Sequence, residues 1–182
     1  MVLALKEIIK ALDYDKTSVQ EVLSSFEAVE SKSKKEVEDF LLNSAYDMEI
    51  DKQSATYIIV NDDEFQNGEM SIDGYFTIAL KTLKFAEHVS NRTRRKISGK
   101  KDEYIPAYLI GQLAKSKTAC ARAGIDYLHT AISYIKYVSE VVGGSIIYLD
   151  CDDELVGYYT KNKFTYLQKN SESHLNQMYL AI

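Results

Sequence analysis

Apolar residues recur every three or four positions along four stretches of the chain, and each stretch predicts an amphipathic helix. Leu5, Ile8, Ile9 and Leu12 form the first stripe, and Val19, Val22, Leu23 and Phe26 the second. Val37, Phe40, Leu41, Ala45 and Met48 form the third, so the first fifty residues read as mostly helical. Two S/T-x-x-E/Q spacings, Thr17 with Gln20 and Ser33 with Glu36, predict capping boxes at helix starts. Ser25 to Val29, between these helices, is compatible with a short strand, and local pattern does not decide it. The fourth and longest stripe, Ile125, Leu128, Ile132, Ile135, Val138 and Val142, ends at Gly143-Gly144, a pair suited to a left-handed cap.

Elsewhere the pattern shortens to alternation or to continuous apolar runs, which predict strands. Thr56 to Val60 is β-branched and apolar, and Ile72 to Phe85 alternates Phe76, Ile78 and Leu80 with Tyr75, Thr77 and Ala79. Between them NDDEFQNG holds Asn67-Gly68, whose tolerance of positive φ suits a hairpin turn joining antiparallel neighbours. Tyr108 to Ala114 reads as a buried strand, with Pro106 near its start and Gly111 inside it. Ser145 to Cys151 is another, and Phe164 to Leu167 and Gln177 to Ile182 read as an antiparallel closing pair. Asp152 and Asp153 place acid at the start of a short helix carrying Leu155, Val156, Tyr158 and Tyr159. The polar stretch His88 to Glu103 reads as a loop. It carries Arg92, Arg94, Arg95, Lys96, Lys100 and Lys101, which would serve either a solvated connection or an anionic ligand.

The stretch Tyr104 to Leu128 combines a strand, a turn of small residues and a long helix. The first N–H groups of a helix lack intrahelical partners, and the helix dipole adds partial positive charge there. Where the surrounding residues are small, a phosphate can approach. Here they are Ala119, Cys120, Ala121, Ala123 and Gly124, with Arg122 as a charged arm. A tight connection that binds nothing has the same local pattern.

Composition narrows the function classes. A chain of 182 residues, 46% apolar, suffices for one core and is short for two. No repeat or linker interrupts it, so residues 1–182 are expected to form a single α/β domain with a mixed, mostly antiparallel sheet flanked by helices. A formal charge of −5 argues against a protein that wraps nucleic acid. Cys120 and Cys151 are too few for a disulfide framework and do not form a zinc pattern, and Asp62-Asp63 and Asp152-Asp153 lack calcium-loop spacing, so no metal is expected. With no apolar run of membrane-spanning length and no leader-like N-terminus, a soluble, cytoplasmic protein is expected.

Three pieces of the sequence resemble the GNAT superfamily of acyl-CoA-dependent N-acetyltransferases. IPAYLIGQLAKSK is similar to that fold's central strand, notably in bacterial acetyltransferase toxins and their uncharacterised relatives. IIYLDCDDELVGYYTKNKF is similar to the next strand and helix, which usually end in an aromatic, a Tyr, three residues, then Gly-Phe. DGYFTIALKTL is similar to the preceding strand. The resemblance spans roughly residues 37 to 182.

The resemblance implies that acetyl-CoA is a cosubstrate. Its pantetheine arm would run along Leu113, Ala114 and Lys115, and its pyrophosphate would rest on the N–H groups of Arg122, Ala123, Gly124 and Ile125. Tyr159 falls on the family tyrosine that can protonate the leaving thiolate. The family's phosphate loop is altered here: Gly124 fits its last position, but Ala119 stands for Gln or Arg and Arg122 for the earlier Gly. Lys163 stands for the glycine before Phe164. Asp150, Asp152 and Glu103 are candidates for a general base, and none is singled out. Cys151, with His88, His129 and His174 scattered along the chain, reads as a packed thiol.

Three readings follow. The first is an N-acetyltransferase that moves an acetyl group from acetyl-CoA to a primary amine by direct attack. The second is a toxin-like enzyme that acetylates aminoacyl-tRNA, with the Arg92 to Lys101 stretch meeting phosphate. The third is a GNAT-shaped binding module, such as a homodimer, that has lost the cofactor along with its loop.

Overall fold

The computed structural model describes residues 1–67 and 70–182. Their seven strands are β1 Val2–Ala4, β2 Ala55–Val60, β3 Ile72–Lys84, β4 Tyr104–Lys115, β5 Ile146–Cys151, β6 Thr165–Lys169 and β7 Asn176–Ala181. They lie in the order β1-β2-β3-β4-β5-β7-β6. β1 with β2, β2 with β3, β5 with β7 and β6 with β7 are antiparallel, while β4 and β5 are parallel. The expected mixed, mostly antiparallel α/β sheet is present. The residues group into two compact units, Met1–Ala79 with Gln112–Ala131, and Leu80–Gly111 with Ile132–Ile182. β3, β4 and the long helix α7, Ala123–Val142, each contribute to both.

In the first unit, α1 (Leu5–Ala11) and α2 (Lys16–Leu23) bury Leu5, Ile9, Val19 and Leu23 with Leu41, Ile58, Ile72 and Tyr75. The cap of α2 is Asp15, whose carboxylate accepts from the Ser18 N–H at 2.9 Å, so Thr17 lies inside the helix. An acid at that position suits the dipole better than a hydroxyl. Ser33 does precede α3 (Lys34–Asp39), but its side chain makes no cap bond. α3 continues through a π-helical segment, Phe40–Ser44, into α4 (Ala45–Ile50). Tyr75 fixes this junction, donating to the Val37 carbonyl at 2.6 Å and stacking on Phe40.

Two polar stretches hold helices that the apolar pattern does not show. Asn61 caps α5 (Asp62–Gln66) by accepting from the Asp63 and Glu64 N–H groups. Three acids in its first turn complement the dipole. β2 and β3 are antiparallel as expected, joined through this helix. The Asn67-Gly68 turn cannot be described, since Gly68 lies outside the described residues. β1 is likewise new: it is too short for alternation to reveal.

The second unit carries the other hidden helix, α6 (Asn91–Ser98), where a loop was expected. Ser90 caps it, accepting from the Thr93 N–H at 3.1 Å, and Gly99 ends it at φ 74°. Ile97 is its single buried residue. Arg94 donates to the Val89 and Ala86 carbonyls, both at 3.0 Å, and lies over the Phe85 ring. The core here includes Leu83, Phe85, Ile97, Ile105, Ile146, Tyr148 and Leu167.

α7 buries Tyr127, Leu128, Ala131, Ile132 and Ile135, but Ile125, Val138 and Val142 are exposed, against the stripe read from the sequence. The glycine stop stands: Gly143 and Gly144 have φ of 84° and 117°. A Cβ on Gly144 would come within 2.5 Å of the Tyr108 ring, whose hydroxyl donates to the Gly143 carbonyl.

Candidate functional site

The strand-turn-helix of the first unit is held by a contact between β3 and α7. Gly74 lies in β3, and a Cβ there would come within 2.5 Å of the Tyr127 ring and 2.6 Å of the Ala114 carbonyl oxygen. Glycine lets Tyr127 lie against the strand, where its hydroxyl donates to the Asp73 carbonyl at 3.3 Å. Burial, with Asp73 nearby, pushes the Tyr127 phenol up to about 12, so it stays a neutral donor. The first turns of α7 are thereby fixed to the end of β4.

The connecting turn is closed by its own polar groups. Ser116 is buried, accepts from the Thr118 N–H at 3.2 Å and shares a hydrogen bond with the Thr118 hydroxyl. The Lys115 ammonium folds back onto the Ala119 carbonyl at 3.0 Å. At the helix start, the Ala123 N–H donates to Cys120 at 3.1 Å and the Ile125 N–H to Arg122 at 3.0 Å. Two of the four amides expected to meet pyrophosphate are thus engaged within the turn. Ala123 is buried, Gly124 half-buried, and Arg122 and Ile125 exposed.

Of the three positions expected to meet pantetheine, Ala114 is buried in the core, while Leu113 and Lys115 are half-buried. Residues 27 to 29 pair with the end of this strand: the Val29 N–H donates to Lys115 at 3.1 Å, and the Lys117 N–H donates to Glu27 at 2.9 Å. In the ambiguous Ser25 to Val29 stretch the strand pairing is a single bridge between Ala28 and Ser116, while Ser25 lies in the turn after α2. The Glu27 carboxylate pairs with Lys117 and Lys34, and the Lys117 hydrogen bond holds it below the usual carboxylate range. The sequence gives no warning of this segment, because the bridge is a single pair. The Gly74 contact had a signal, an interior glycine in an apolar strand.

In the second unit, Asp152 precedes a 3-10 turn, Asp153–Leu155, that leads into α8 (Val156–Lys161). Tyr159 is 8% exposed and makes edge contacts with Tyr158 and Phe164, at ring distances of 5.1 and 5.7 Å. The Phe164 N–H donates to the Tyr159 carbonyl and the Lys163 N–H to Thr160, both at 3.0 Å. Those two bonds, with an apolar contact across them, define a Schellman cap whose penultimate residue is left-handed. Lys163 has φ 71°, which explains why glycine suits that position. Burial pushes the Tyr159 phenol well above its ordinary value. Cys151 is buried, and burial with Asp152 raises its thiol to about 11, so it is a packed thiol. Cys120, in the turn before α7, is exposed.

Among the described residues no cluster of His, Cys, Asp or Glu is placed to hold a metal ion, and no helix is long and apolar enough to cross a membrane. Around the small residues of the turn, Lys115 is bonded to the Ala119 carbonyl and Lys117 is paired with Glu27, while Arg122 is exposed.

The strand order, the strand-turn-helix and the capped aromatic helix define the acyl-CoA N-acyltransferase, or GNAT, fold. No protein-family model matches the sequence, and no curated protein does. Solved structures do match. AtaT complexed with acetyl-methionyl-tRNAfMet is similar over 100% of this chain and 94% of its own, with TM-score 0.72 and 18% identity. A tyrosine-to-phenylalanine mutant of KacT is similar over the same shares, with TM-score 0.72 and 16% identity. AtaTR bound with acetyl-CoA is similar over 100% of this chain and 92% of its own, with TM-score 0.67 and 17% identity.

Proposed function

We propose that the chain is an acetyl-CoA-dependent N-acetyltransferase that acetylates a primary amine. The observation that carries this reading is the match of fold along the whole chain to AtaT, whose structures contain acetyl-CoA in one case and acetylated methionyl-tRNA in another. The diphosphate rests at the start of α7, on the amides of Arg122 and Gly124 with the Arg122 guanidinium beside them. The Ala123 and Ile125 amides hold the shape of the turn instead. Leu113 and Ala114 guide the pantetheine arm, and Lys115 stiffens the turn through its bond to Ala119.

The neutral amine attacks the thioester carbonyl, a new C–N bond forms, the C–S bond breaks, and the nitrogen gives up one proton to solvent, which returns one to the departing thiolate. Orientation of the two reactants supplies most of the rate, since well-placed pairs save about 7 to 11 kcal/mol. A free thiol titrates near 8.5, so its thiolate is a good leaving group. Tyr159 has a phenol raised well above that by burial, which makes full proton transfer uphill. Its role is to donate a hydrogen bond to the sulfur as negative charge develops.

A tRNA-linked acceptor is the more specific form of this reading, favoured by α6. Arg92, Arg95 and Lys96 of α6 and Lys100 and Lys101 just after it are exposed, whereas Arg94 is tied to main-chain carbonyls. The α-amino group of an aminoacyl ester also loses its proton more easily than a lysine.

The deciding experiment measures thiol release from acetyl-CoA with methionyl-tRNA and with small amines, using the native protein and Tyr159→Phe. Acetylation of an amine that Tyr159→Phe slows supports the reading. Acetyl-CoA that is neither bound nor consumed favours the non-catalytic module.

A further inference from the structure

β3 outruns its neighbour β2. The ladder between them ends where Ala55 pairs with Ile78, while β3 continues to Lys84. Among the described residues, 80–84 of the second unit therefore have no strand on the edge away from β4. The Phe85 N–H donates to the Glu103 carbonyl, on the β4 side, at 2.8 Å, so across the trans peptide the Lys84 carbonyl points to the opposite edge. Residues two apart in a strand share an edge, so the N–H and C=O groups of Leu80 and Thr82 face outward as well.

Part of this edge already has a substitute partner. The Gln168 amide donates to the Lys84 carbonyl at 2.8 Å and accepts from the Ala86 N–H at 2.7 Å, the two bonds a neighbouring strand would make. A further bond to Gln177 Oε1 at 2.7 Å fixes its position. The edge is thus satisfied at Lys84 and Ala86 and open at Leu80 and Thr82, where Leu80 is 55% exposed and Lys81 and Thr82 are exposed too. A cleft of about 670 Å3 lies alongside, lined by two runs of consecutive residues, 82–87 and 168–172.

Outward N–H and C=O groups at strand spacing recognise another extended backbone. Side chains decide which one. Lys84 pairs with Glu103, Lys169 with Asp153, and Arg94 with main-chain carbonyls. Lys81 has no ion-pair partner among the described residues. A lysine on an edge discourages indiscriminate pairing and favours a strand that brings an acid opposite it. No edge of this sheet supplies one: β1 reads VLA, β6 reads TYLQK and the open part of β3 reads LKTLK. A second copy of the chain is therefore a poor occupant.

From the open edge, the cleft beside it and the uncommitted Lys81, we infer that the second unit captures an extended peptide of a partner protein, which adds a strand along residues 80–84 and sets an acidic side chain opposite Lys81. The inference rests on the second unit alone and does not require acetyl transfer.

Calorimetric titration of the whole protein with the acetylated, amidated peptide TVTEV tests this. In antiparallel register its glutamate meets Lys81 and its central threonine meets Thr82. Saturable one-to-one binding is expected, with hydrogen exchange slowed at the Leu80 and Thr82 amides. Methylating the central threonine nitrogen removes one main-chain donor and should weaken binding about tenfold. Lys81→Glu should prefer TVTKV to TVTEV, the reverse of the native protein. Equal binding of the methylated and unmethylated peptides, no binding of either, or an unchanged preference in Lys81→Glu overturns the inference. Self-association through this edge in place of peptide binding assigns it to a second copy and overturns it too. If Lys81→Glu does not fold, the two TVTEV peptides on the native protein decide alone.

Discussion

The turn into α7 and the cap that ends α8 solve opposite problems. At the first, main-chain groups are the proposed ligand contacts, and side chains would keep out of the way or brace the loop. At the second, one side chain is both the proposed hydrogen-bond donor and the apolar contact of the helix cap. A sequence motif at the turn can therefore erode while its geometry survives. At the cap, structure and chemistry are separable only by removing a single oxygen atom.

The largest expected effect separates those two roles of Tyr159. Tyr159→Phe keeps the ring contact with Phe164 and should lower kcat about 100-fold, the lower end for loss of one hydrogen-bond donor to a developing anion, with melting unchanged. Tyr159→Ala should also cost about 3 to 5 kcal/mol of stability by emptying a buried aromatic site. Equal loss of stability in both variants, with turnover retained in Phe, would assign the residue to packing alone.

Next comes the turn. Gly74→Ala forces a Cβ against the Ala114 carbonyl and Tyr127, and overpacking of this kind costs about 1 to 3 kcal/mol. Because the same contact fixes the start of α7, acetyl-CoA should no longer raise the melting temperature of the folded variant. A smaller effect of opposite sign is expected at the cap: Lys163→Gly relieves a left-handed lysine and should stabilise the protein by about 0.5 to 1 kcal/mol with activity unchanged. Chemical modification gives the least intrusive comparison. Iodoacetamide at pH 8 should label exposed Cys120 and spare Cys151, whose thiol stays protonated to about 11.

What the sequence made legible follows from period and length. β3, β4, β5 and α7 are long enough for apolar spacing to decide them, and the closing strands were flanked by clear breaks. α5 and α6 were read as loops because their stability lies in capping: Asn61 and Ser90 start them, and α6 buries only Ile97. The inward stripe of α7 was drawn too wide, since Val138 and Val142 lie near an end that outruns the core.

At the candidate site, motif order pointed to Tyr159, which lies in α8, and to the small-residue turn before α7, and their roles are those proposed above. The pairing of residues 27 to 29 with the end of β4 was not legible, because a long-range bridge of one residue has no local signature. The commitment of Arg94 to the Ala86 and Val89 carbonyls was equally hidden, since only folding shows which cation of a cluster is spent. Neutralising Arg95 and Lys96, rather than Arg94, should therefore weaken a tRNA-directed activity, most at low salt, without loss of stability.

The most direct test of the central claim is a thermal melt with and without acetyl-CoA. A ligand that binds only the native state at a hundredfold excess over its Kd stabilises it by about 2.7 kcal/mol. The account predicts such a rise for the native protein and its loss in Gly74→Ala. An unchanged melting temperature of the native protein at millimolar acetyl-CoA would contradict it.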